Sequence, residues 1–352
     1  MSLVKCFVEN SNKFVAMKTK EICAIFGVVL FSGLISCGQS KPEPQIDGSR
    51  NLDSLLLQFP DSINLLLERA SLDIEQYEYD RALSDAARAF RLDSNNIEAR
   101  LLYAEAMNNS ETRTVQDVAT AQNHYKFIVK KQPKNTRALV GLAATYGFQQ
   151  DFKKTFQYVN EALRIDPKYR DAYVLKGSSY LQLGNLDLAK SSYETAIQQD
   201  PEFFEAYFIL GQIYQSEDNP ICIEYFTTAL GLRPDILEVK YQLAYSKEKY
   251  DQLENAKELY RQMITDTNEF YITRGLFHLG GIKQFIEKDI DSAMYFYRSA
   301  LKTEPRHVES WHNLGMCYED QGDVTRALQS YAKALKYNPE FELSRERADQ
   351  LR

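Results

Sequence analysis

The chain has 352 residues, with 42 Lys or Arg against 49 Asp or Glu and a formal net charge of −7 at neutral pH. Nucleic-acid binding depends on cationic side chains that neutralise phosphates, so this balance argues against a nucleic-acid partner. Hydrophobic residues make up 44% of the chain, which is sufficient for a folded core.

The first segment predicts export. Met17 is followed by two lysines, then by an apolar run from Ile22 to Ile35 and a small residue before Cys37. A basic start, a short apolar stretch and small residues before a cleavage site are typical of a secretory signal. The run is shorter than the roughly 20 residues that a membrane-spanning helix needs. We therefore predict a signal peptide over residues 1–36, with Met17 as the more natural start.

The sequence Leu-Ile-Ser-Cys at residues 34–37 resembles the bacterial lipoprotein signal. In that family the cysteine is acylated and the signal is cut before it. The resemblance implies that Cys37 is the first mature residue and the lipid anchor. A signal without lipid and an uncleaved anchor are the alternatives. Since Gly38 rather than Asp follows the cysteine, the resemblance also implies an outer membrane location facing the periplasm. Residues 37–50 contain Pro and Gly and predict a flexible tether.

From residue 63 onward the chain repeats a unit of about 34 residues. Prolines close most of the units: Pro133, Pro167, Pro201, Pro234, Pro305 and Pro339. In residues 308–341, Trp, Leu, Gly, Tyr, Ala, Tyr, Ala and Pro occupy positions 4, 7, 8, 11, 20, 24, 27 and 32 of the unit. This arrangement resembles the tetratricopeptide repeat, a helix–turn–helix motif.

The resemblance implies an all-α fold, an α-solenoid coiled as a right-handed superhelix of about eight tetratricopeptide units. The predicted segments are a short helix over 51–62, units at 63–96, 97–135, 136–169, 170–203, 204–236, 237–270, 271–307 and 308–341, and a capping helix over 342–352. Two insertions interrupt the period. The first, Asn108–Asp117, is polar and predicts an exposed loop, and the second blurs the register of the seventh unit.

Small residues recur at positions 8 and 20 of the unit, where they allow two helices to approach closely. They include Ala143, Gly177, Gly211, Gly315, Ala121, Ala189, Ala256 and Ala327. Large aromatic residues at positions 11 and 24 are predicted to fill the core between the helices. They include Tyr146, Tyr180, Tyr193, Tyr214, Phe226, Tyr260, Tyr297, Tyr318 and Tyr331.

Turn signals separate the predicted helices. Gly184 and Gly322 predict left-handed residues that close a first helix. The pairs Asp166-Pro167 and Asp200-Pro201 predict an N-cap followed by the first residue of a helix.

No motif for catalysis, metal binding or phosphate binding is found in the sequence. The four histidines are scattered, and Cys222 and Cys317 occupy positions typical of small core residues. We therefore predict a protein that is not an enzyme, with no metal, no cofactor and no small-molecule substrate.

In the resembled family the first helices of the units form a concave groove. Here the groove positions are apolar and aromatic in the middle with an acidic rim. They lack the Lys and Asn pattern that clamps a terminal carboxylate in some members. Such a groove suits a helix or an extended segment with hydrophobic anchors. The predicted protein-binding residues are Phe148, Phe208, Gln212, Tyr241, Tyr245 and His312.

Together these features predict a non-enzymatic protein–protein interaction scaffold. It would be anchored to the membrane through the lipid on Cys37 and would bind a protein partner in the cell envelope. The alternative is an envelope glycan or peptidoglycan binding protein, because exposed aromatic rings can stack on sugars.

Overall fold

The computed structural model describes residues 48–352, with side chains described from Leu52 onward. All regular structure in this range is helical, comprising eighteen α-helices and one π-helical segment without any strand. The prediction of an all-α, tetratricopeptide-like fold is confirmed. The predicted signal peptide, the predicted lipid anchor at Cys37 and most of the predicted tether lie outside the described residues.

The chain divides into two compact units, and the division falls between Ala206 and Tyr207, inside helix α10 (Phe204–Ser216). The N-terminal unit comprises α1 (Gly48–Gln58), α2 (Ile63–Glu75), α3 (Tyr79–Leu92), α4 (Ile97–Asn109), α5 (Val115–Lys131), α6 (Thr136–Phe148), α7 (Phe152–Ile165), α8 (Arg170–Gln182) and α9 (Leu186–Gln199). The C-terminal unit comprises α11 (Cys222–Leu232), α12 (Leu237–Lys249), α13 (Leu253–Met263), α14 (Glu269–Gly281), a π-helical segment (Ile282–Glu287), α15 (Ile290–Thr303), α16 (Val308–Asp320), α17 (Val324–Tyr337) and α18 (Glu342–Gln350).

Within each unit, consecutive helices pair as hairpins, and in four of these hairpins an aromatic ring of the second helix lies against a glycine of the first. In the last hairpin, a Cβ atom added to Gly315 would lie 2.6 Å from the ring of Tyr331. The same contact joins Gly177 to Tyr193, Gly211 to Phe226 and Gly280 to Tyr297. These four rings have no solvent exposure. The prediction that they are core side chains is therefore confirmed, and so is the closeness of the helices at the small positions.

The turns within the hairpins use left-handed residues. Gly184 and Gly322 have φ angles of +72° and +76°, as predicted. Five other residues adopt a similar left-handed φ without being glycine: Tyr77, Gln150, Asp218, Asp251 and Lys288. A left-handed conformation costs a residue with a Cβ atom about 1 kcal/mol, so the turn geometry is imposed by helix packing rather than by local preference.

The prediction for the Asp-Pro pairs is wrong. Asp166 ends α7 instead of starting α8, and its Oδ1 accepts a hydrogen bond from the backbone N of Lys168 at 2.9 Å. The backbone N of Tyr169 donates to the Asp166 carbonyl at 3.2 Å. Proline at the second residue of such a turn has its φ already set, and the Asp side chain stabilises the turn two residues on. The pair therefore marks the loop between units.

The first insertion is less exposed than predicted. Asn108 and Ser110 are buried, and the Ser110 hydroxyl donates to Asp80 at 2.6 Å. Helix α5 then begins with a capping box, in which the side chains of Thr114 and Asp117 each accept from the other's backbone N. A polar composition predicted exposure, but internal hydrogen bonds bury part of the segment.

The second insertion is accommodated partly by the π-helical segment Ile282–Glu287. Gly280 and its ring partner Tyr297 are separated by one residue more than Gly315 and Tyr331. A π-helical turn adds one residue to an α-helix and often lies near a functional site. Because Gly280 contacts Tyr297 as Gly315 contacts Tyr331, Gly280 occupies position 8 of the seventh unit. This places Arg274 at position 2, a groove position in the resembled family.

No helix within residues 48–352 has both the length and the apolar character needed to cross a membrane. Over the same described range, no three His, Cys, Asp or Glu side chains are grouped so that they could hold a metal ion. Cys222 and Cys317 are buried, which confirms their prediction as core residues.

Candidate binding surface

The six residues predicted to bind a partner differ in their exposure. Phe148 has 37% of its surface exposed, while Gln212 and Tyr241 are half-buried. Phe208, Tyr245 and His312 are only 5%, 6% and 8% exposed. The expectation that these last three side chains face solvent is wrong, although the binding role of all six residues stays a prediction.

His312 is buried because the C-terminal helix α18 covers it. Its Nδ1 lies 2.9 Å from the hydroxyl of Ser344, and the ring of Phe341 meets its ring edge-on at 5.4 Å. Phe208 packs instead within its own hairpin, where its ring lies 5.9 Å from that of Phe226. Neighbouring helices thus cover positions that look open in a single repeat.

The burial of His312 predicts a loss of stability in acid. Burial, with a smaller contribution from Arg347, lowers the pKa of His312 from 6.5 to about 4. Between these pH values the unfolded chain binds a proton that the folded chain excludes. The free energy of unfolding therefore falls as the pH drops from 6.5 to 4, by about 3 kcal/mol from this group.

The measurement is urea unfolding at pH 7 and pH 4 of the native chain and of His312→Gln, which lacks the titrating group. The difference in unfolding free energy between the two proteins should shift by about 3 kcal/mol in favour of the variant at pH 4. A difference that does not change with pH would contradict this assignment.

In the N-terminal unit, the charged groups at the groove positions satisfy one another. Arg137, at position 2 of its unit, pairs with Glu105 at 2.7 Å and with Glu98 at 3.5 Å. Burial raises the pKa of Glu105, and Arg137 opposes that shift. The hydroxyl of Tyr77 donates to Glu205 at 2.7 Å. Arg137, Glu105 and Glu205 are thus engaged by partners within the protein.

Phe148 lies near the first insertion in the same unit. The guanidinium of Arg113 stands 5.5 Å from the centre of its ring, a distance typical of a cation–π contact. Arg113 therefore covers one face of the ring, which reduces the apolar area of Phe148 that a partner could contact.

In the C-terminal unit, aromatic and cationic groups gather on the first helices α12 and α14. The guanidinium of Arg274 lies 4.1 Å from the ring centre of Phe270 and 5.3 Å from that of Tyr241. The rings of Tyr241 and Tyr271 are 6.5 Å apart, and the Tyr271 hydroxyl donates to Glu238 at 2.8 Å. We call Phe270, Tyr241, Tyr271 and Arg274 the aromatic–arginine cluster.

A network of buried hydrogen bonds fixes the position of Tyr241 in this cluster. Glu248, which is 5% exposed, accepts from the hydroxyl of Tyr260 at 2.7 Å and lies 2.8 Å from Nδ1 of His278. Nε2 of His278 is 3.3 Å from the hydroxyl of Tyr241. With a proton on Nδ1 donated to Glu248, Nε2 accepts from Tyr241, and the Tyr241 oxygen is left to accept from Arg274.

The tyrosines of the cluster remain neutral donors. Burial raises the pKa of Tyr241, an effect that Arg274 partly opposes. Burial, reinforced by Glu238, also raises the pKa of Tyr271. Phenols whose pKa lies above the usual value of about 10 keep their protons at physiological pH. The two hydroxyls therefore donate within the protein, to Glu238 and to His278, and the cluster offers the guanidinium of Arg274 beside exposed aromatic surface.

Two segments of the chain match models of known repeats. Residues 308–341 match the tetratricopeptide repeat, and residues 177–217 match the TPR repeat. The chain therefore contains tetratricopeptide repeats, in agreement with the helical hairpins and their glycine–aromatic contacts.

Similar proteins share these repeats. Human "Tetratricopeptide repeat protein 6" is 26% identical over 204 residues, which cover 54% of this chain and 37% of the relative. The "RNA polymerase-associated protein CTR9" of Caenorhabditis elegans is 23% identical over 229 residues, or 62% of this chain and 20% of the relative. The chain thus spans about a third and a fifth of the length of these two relatives.

Among solved structures, the APC/C hetero-tetramer Cut9-Hcn1 has a similar fold. The TM-score is 0.52 and the identity 15%, with 88% of this chain and 60% of that chain covered. At this identity the likeness bears on the fold alone. It agrees with a fold of tetratricopeptide-type helical hairpins.

Sequence reasoning missed Arg274, because the insertion hid the register of the seventh unit. It also missed Glu248 and His278, which are buried and belong to no recognisable motif. A local signal was present. The pair Leu279-Gly280 repeats the pair Leu314-Gly315 of the last unit, and aligning the two pairs assigns Arg274 to a groove position.

Proposed function

We propose that this protein is a non-enzymatic scaffold that captures a segment of a partner protein on the first helices of its C-terminal unit. The observation that carries the proposal is the aromatic–arginine cluster. Phe270 is 49% exposed, and Tyr241, Tyr271 and Arg274 are half-buried beside it. Exposed aromatic and arginine side chains are the groups that dominate protein-binding surfaces.

The rigidity of the cluster also supports capture. Tyr241 is held by His278, and His278 by the buried Glu248, so the surface is organised before a partner arrives. A preorganised surface loses less conformational entropy on binding than a mobile one. Among the described residues, the buried carboxylate and imidazole serve each other, which suits a structural role better than a catalytic one.

We further propose that the scaffold is a lipoprotein of the bacterial cell envelope, attached by acyl chains on Cys37. The support is the order of three features in the sequence: two lysines after Met17, the apolar run from Ile22 to Ile35, and the sequence Leu-Ile-Ser-Cys that ends at Cys37. Each buried CH₂ contributes about 0.8 kcal/mol to membrane attachment, so two or three acyl chains would hold the protein permanently. The tether that follows sets its reach, and Gly38 favours the outer membrane, facing the periplasm.

Replacing Cys37 by Ser tests the anchor. The native chain should incorporate a radiolabelled fatty acid and sediment with outer-membrane vesicles after cell fractionation. The Cys37→Ser variant should lose the label and leave the outer-membrane fraction, because no thiol remains to be acylated. Substituting Cys23, inside the predicted signal, by Ser is the matched control and should change neither result. Label retained by Cys37→Ser would contradict the anchor.

A further inference from the structure

Arg274 differs from Arg137 in its ion pairs. Both arginines occupy position 2 of their 34-residue repeats, on the first helix, but Arg137 lies in the N-terminal compact unit and Arg274 in the C-terminal one. Arg137 is neutralised by Glu105, at position 9 of the preceding unit, and by Glu98, at position 2 of that unit. Arg274 has no ion-pair partner among the described residues.

The two positions that supply carboxylates to Arg137 are occupied differently in the repeat before Arg274. Position 9 of the unit before Arg274 is Tyr245, which has no charge to give. Position 2 of that unit is Glu238, whose carboxylate is already bonded. It accepts from Tyr271 at 2.8 Å and from the side-chain amide of Gln242 at 2.6 Å. One of the two carboxylates is therefore replaced by Tyr245, and the other, that of Glu238, is hydrogen-bonded to Tyr271 and Gln242.

Two aromatic rings hold the guanidinium of Arg274 in place, but its hydrogen-bonding capacity is poorly satisfied. Its Nε atom is buried and finds no acceptor among residues 48–352. Within that range its one hydrogen bond, from Nη1 to the hydroxyl of Tyr241, is long at 3.4 Å. Phe270 and Tyr241 stack against it and restrict its motion. A half-buried cation without an anionic partner is costly, because it has lost part of its hydration and gained no compensating charge. An anion supplied from outside would remove that cost.

We propose that Arg274, stacked against Phe270 and Tyr241, forms a carboxylate-binding subsite for an acidic residue of the captured segment. The inference rests on the proposed function and specifies the chemistry of the partner. The fork of donors on a guanidinium matches a carboxylate, and charged hydrogen bonds of this type are the strong ones. Phe270 lies beside it and offers apolar contact to the neighbouring partner residue. The preferred segment therefore carries one carboxylate next to a hydrophobic side chain.

Peptide selection on the full chain, purified in detergent micelles, tests the subsite. The probe is a displayed library of random twelve-residue peptides, made with free and with amidated carboxyl ends. Peptides enriched on the native chain should share an acidic position beside an apolar one. If amidation abolishes binding, the carboxylate is that of the chain end. If it does not, the carboxylate is a Glu or Asp side chain, and both results support the subsite.

The Arg274→Gln variant should bind the enriched peptides 10- to 100-fold more weakly, since a charged hydrogen bond contributes about 1.5–3 kcal/mol. Neutralising the acidic group of the peptide should weaken binding to the native chain as much, and should have little further effect on the variant. Arg261→Gln is the matched control, because Arg261 lies on the second helix α13, 3.8 Å from the carboxylate of Glu258.

Two outcomes would overturn the proposal in different ways. Enriched peptides without a shared acidic group, bound equally by Arg274→Gln, would refute the subsite and leave capture standing. Failure to enrich any peptide on a chain with native circular dichroism would refute capture, and the subsite with it.

Discussion

Replacing Gly315 by Val is expected to lower the free energy of unfolding of the C-terminal unit by about 3 kcal/mol. A Cβ atom at this residue would lie 2.6 Å from the ring of Tyr331, whose side chain is completely buried. The ring cannot withdraw, because it fills the space between the helices of its hairpin. The added methyl groups must therefore push α16 and α17 apart.

The matched control is Gly231→Ala. Gly231 is also helical, but a Cβ atom there meets nothing within 4 Å. This substitution should leave stability unchanged or raise it by up to about 1 kcal/mol, because alanine favours the helix. Urea unfolding followed by circular dichroism measures both effects. Equal stability of Gly315→Val and the native chain would show that the hairpin is not closed by this contact.

Replacing His278 by Phe should cost about 3 kcal/mol. The variant retains an aromatic ring to stack on Tyr260, which lies parallel to the imidazole at 4.9 Å between ring centres. It removes the Nδ1 donor from Glu248, whose carboxylate then stays buried and, among residues 48–352, retains the Tyr260 hydroxyl as its donor. Leaving a buried carboxylate short of a donor is more costly than losing the hydrogen bond itself.

A double-mutant cycle separates this effect from simple loss of packing. Glu248→Leu combined with His278→Phe removes both partners, so the double variant should be more stable than the sum of the single effects predicts, by about 1–3 kcal/mol. The variant Thr228→Val serves as a distant surface control on α11. Strict additivity of the Glu248 and His278 substitutions would mean that the hydrogen bond between them does not form.

The helix contacts and turns that recur along the fold could be predicted from sequence, because they depend on the same residue types at the same positions of the repeat. Gly177 and Gly315 meet rings at the same position of their hairpins, and Gly184 and Gly322 adopt the same left-handed turn. Such positions depend on contacts within one hairpin. Their residue types and spacing are therefore visible in a single repeat.

Exposure at the candidate site could not be predicted in the same way. Phe208, Tyr245 and His312 occupy groove positions, yet other helices or their own hairpin bury them. What covers a residue depends on the size and tilt of neighbours outside its repeat. For His312 the covering element is α18, which follows the last unit and has no counterpart within the repeat.

The role of Arg274 was hidden for a different reason. Counted from the predicted start of its unit at residue 271, Arg274 is at position 4, but counted from Gly280 at position 8 it is at position 2. A shift of two residues changes the face of a helix that a side chain occupies. The contact of Gly280 with Tyr297 restores the alignment and agrees with the match of Leu279-Gly280 to Leu314-Gly315. The absence of an ion pair at Arg274 then becomes visible by comparison with Arg137.

Site-specific photocrosslinking in native membranes tests partner capture most directly. A benzophenone amino acid replaces Phe270, which lies in the aromatic–arginine cluster, or Tyr295, which is 66% exposed on the second helix α15. Adducts are identified by mass spectrometry. Capture on the first helices predicts one defined protein adduct at position 270 and none at position 295. Adducts at position 295 alone, or none at position 270 in cells that express the full chain, would contradict it.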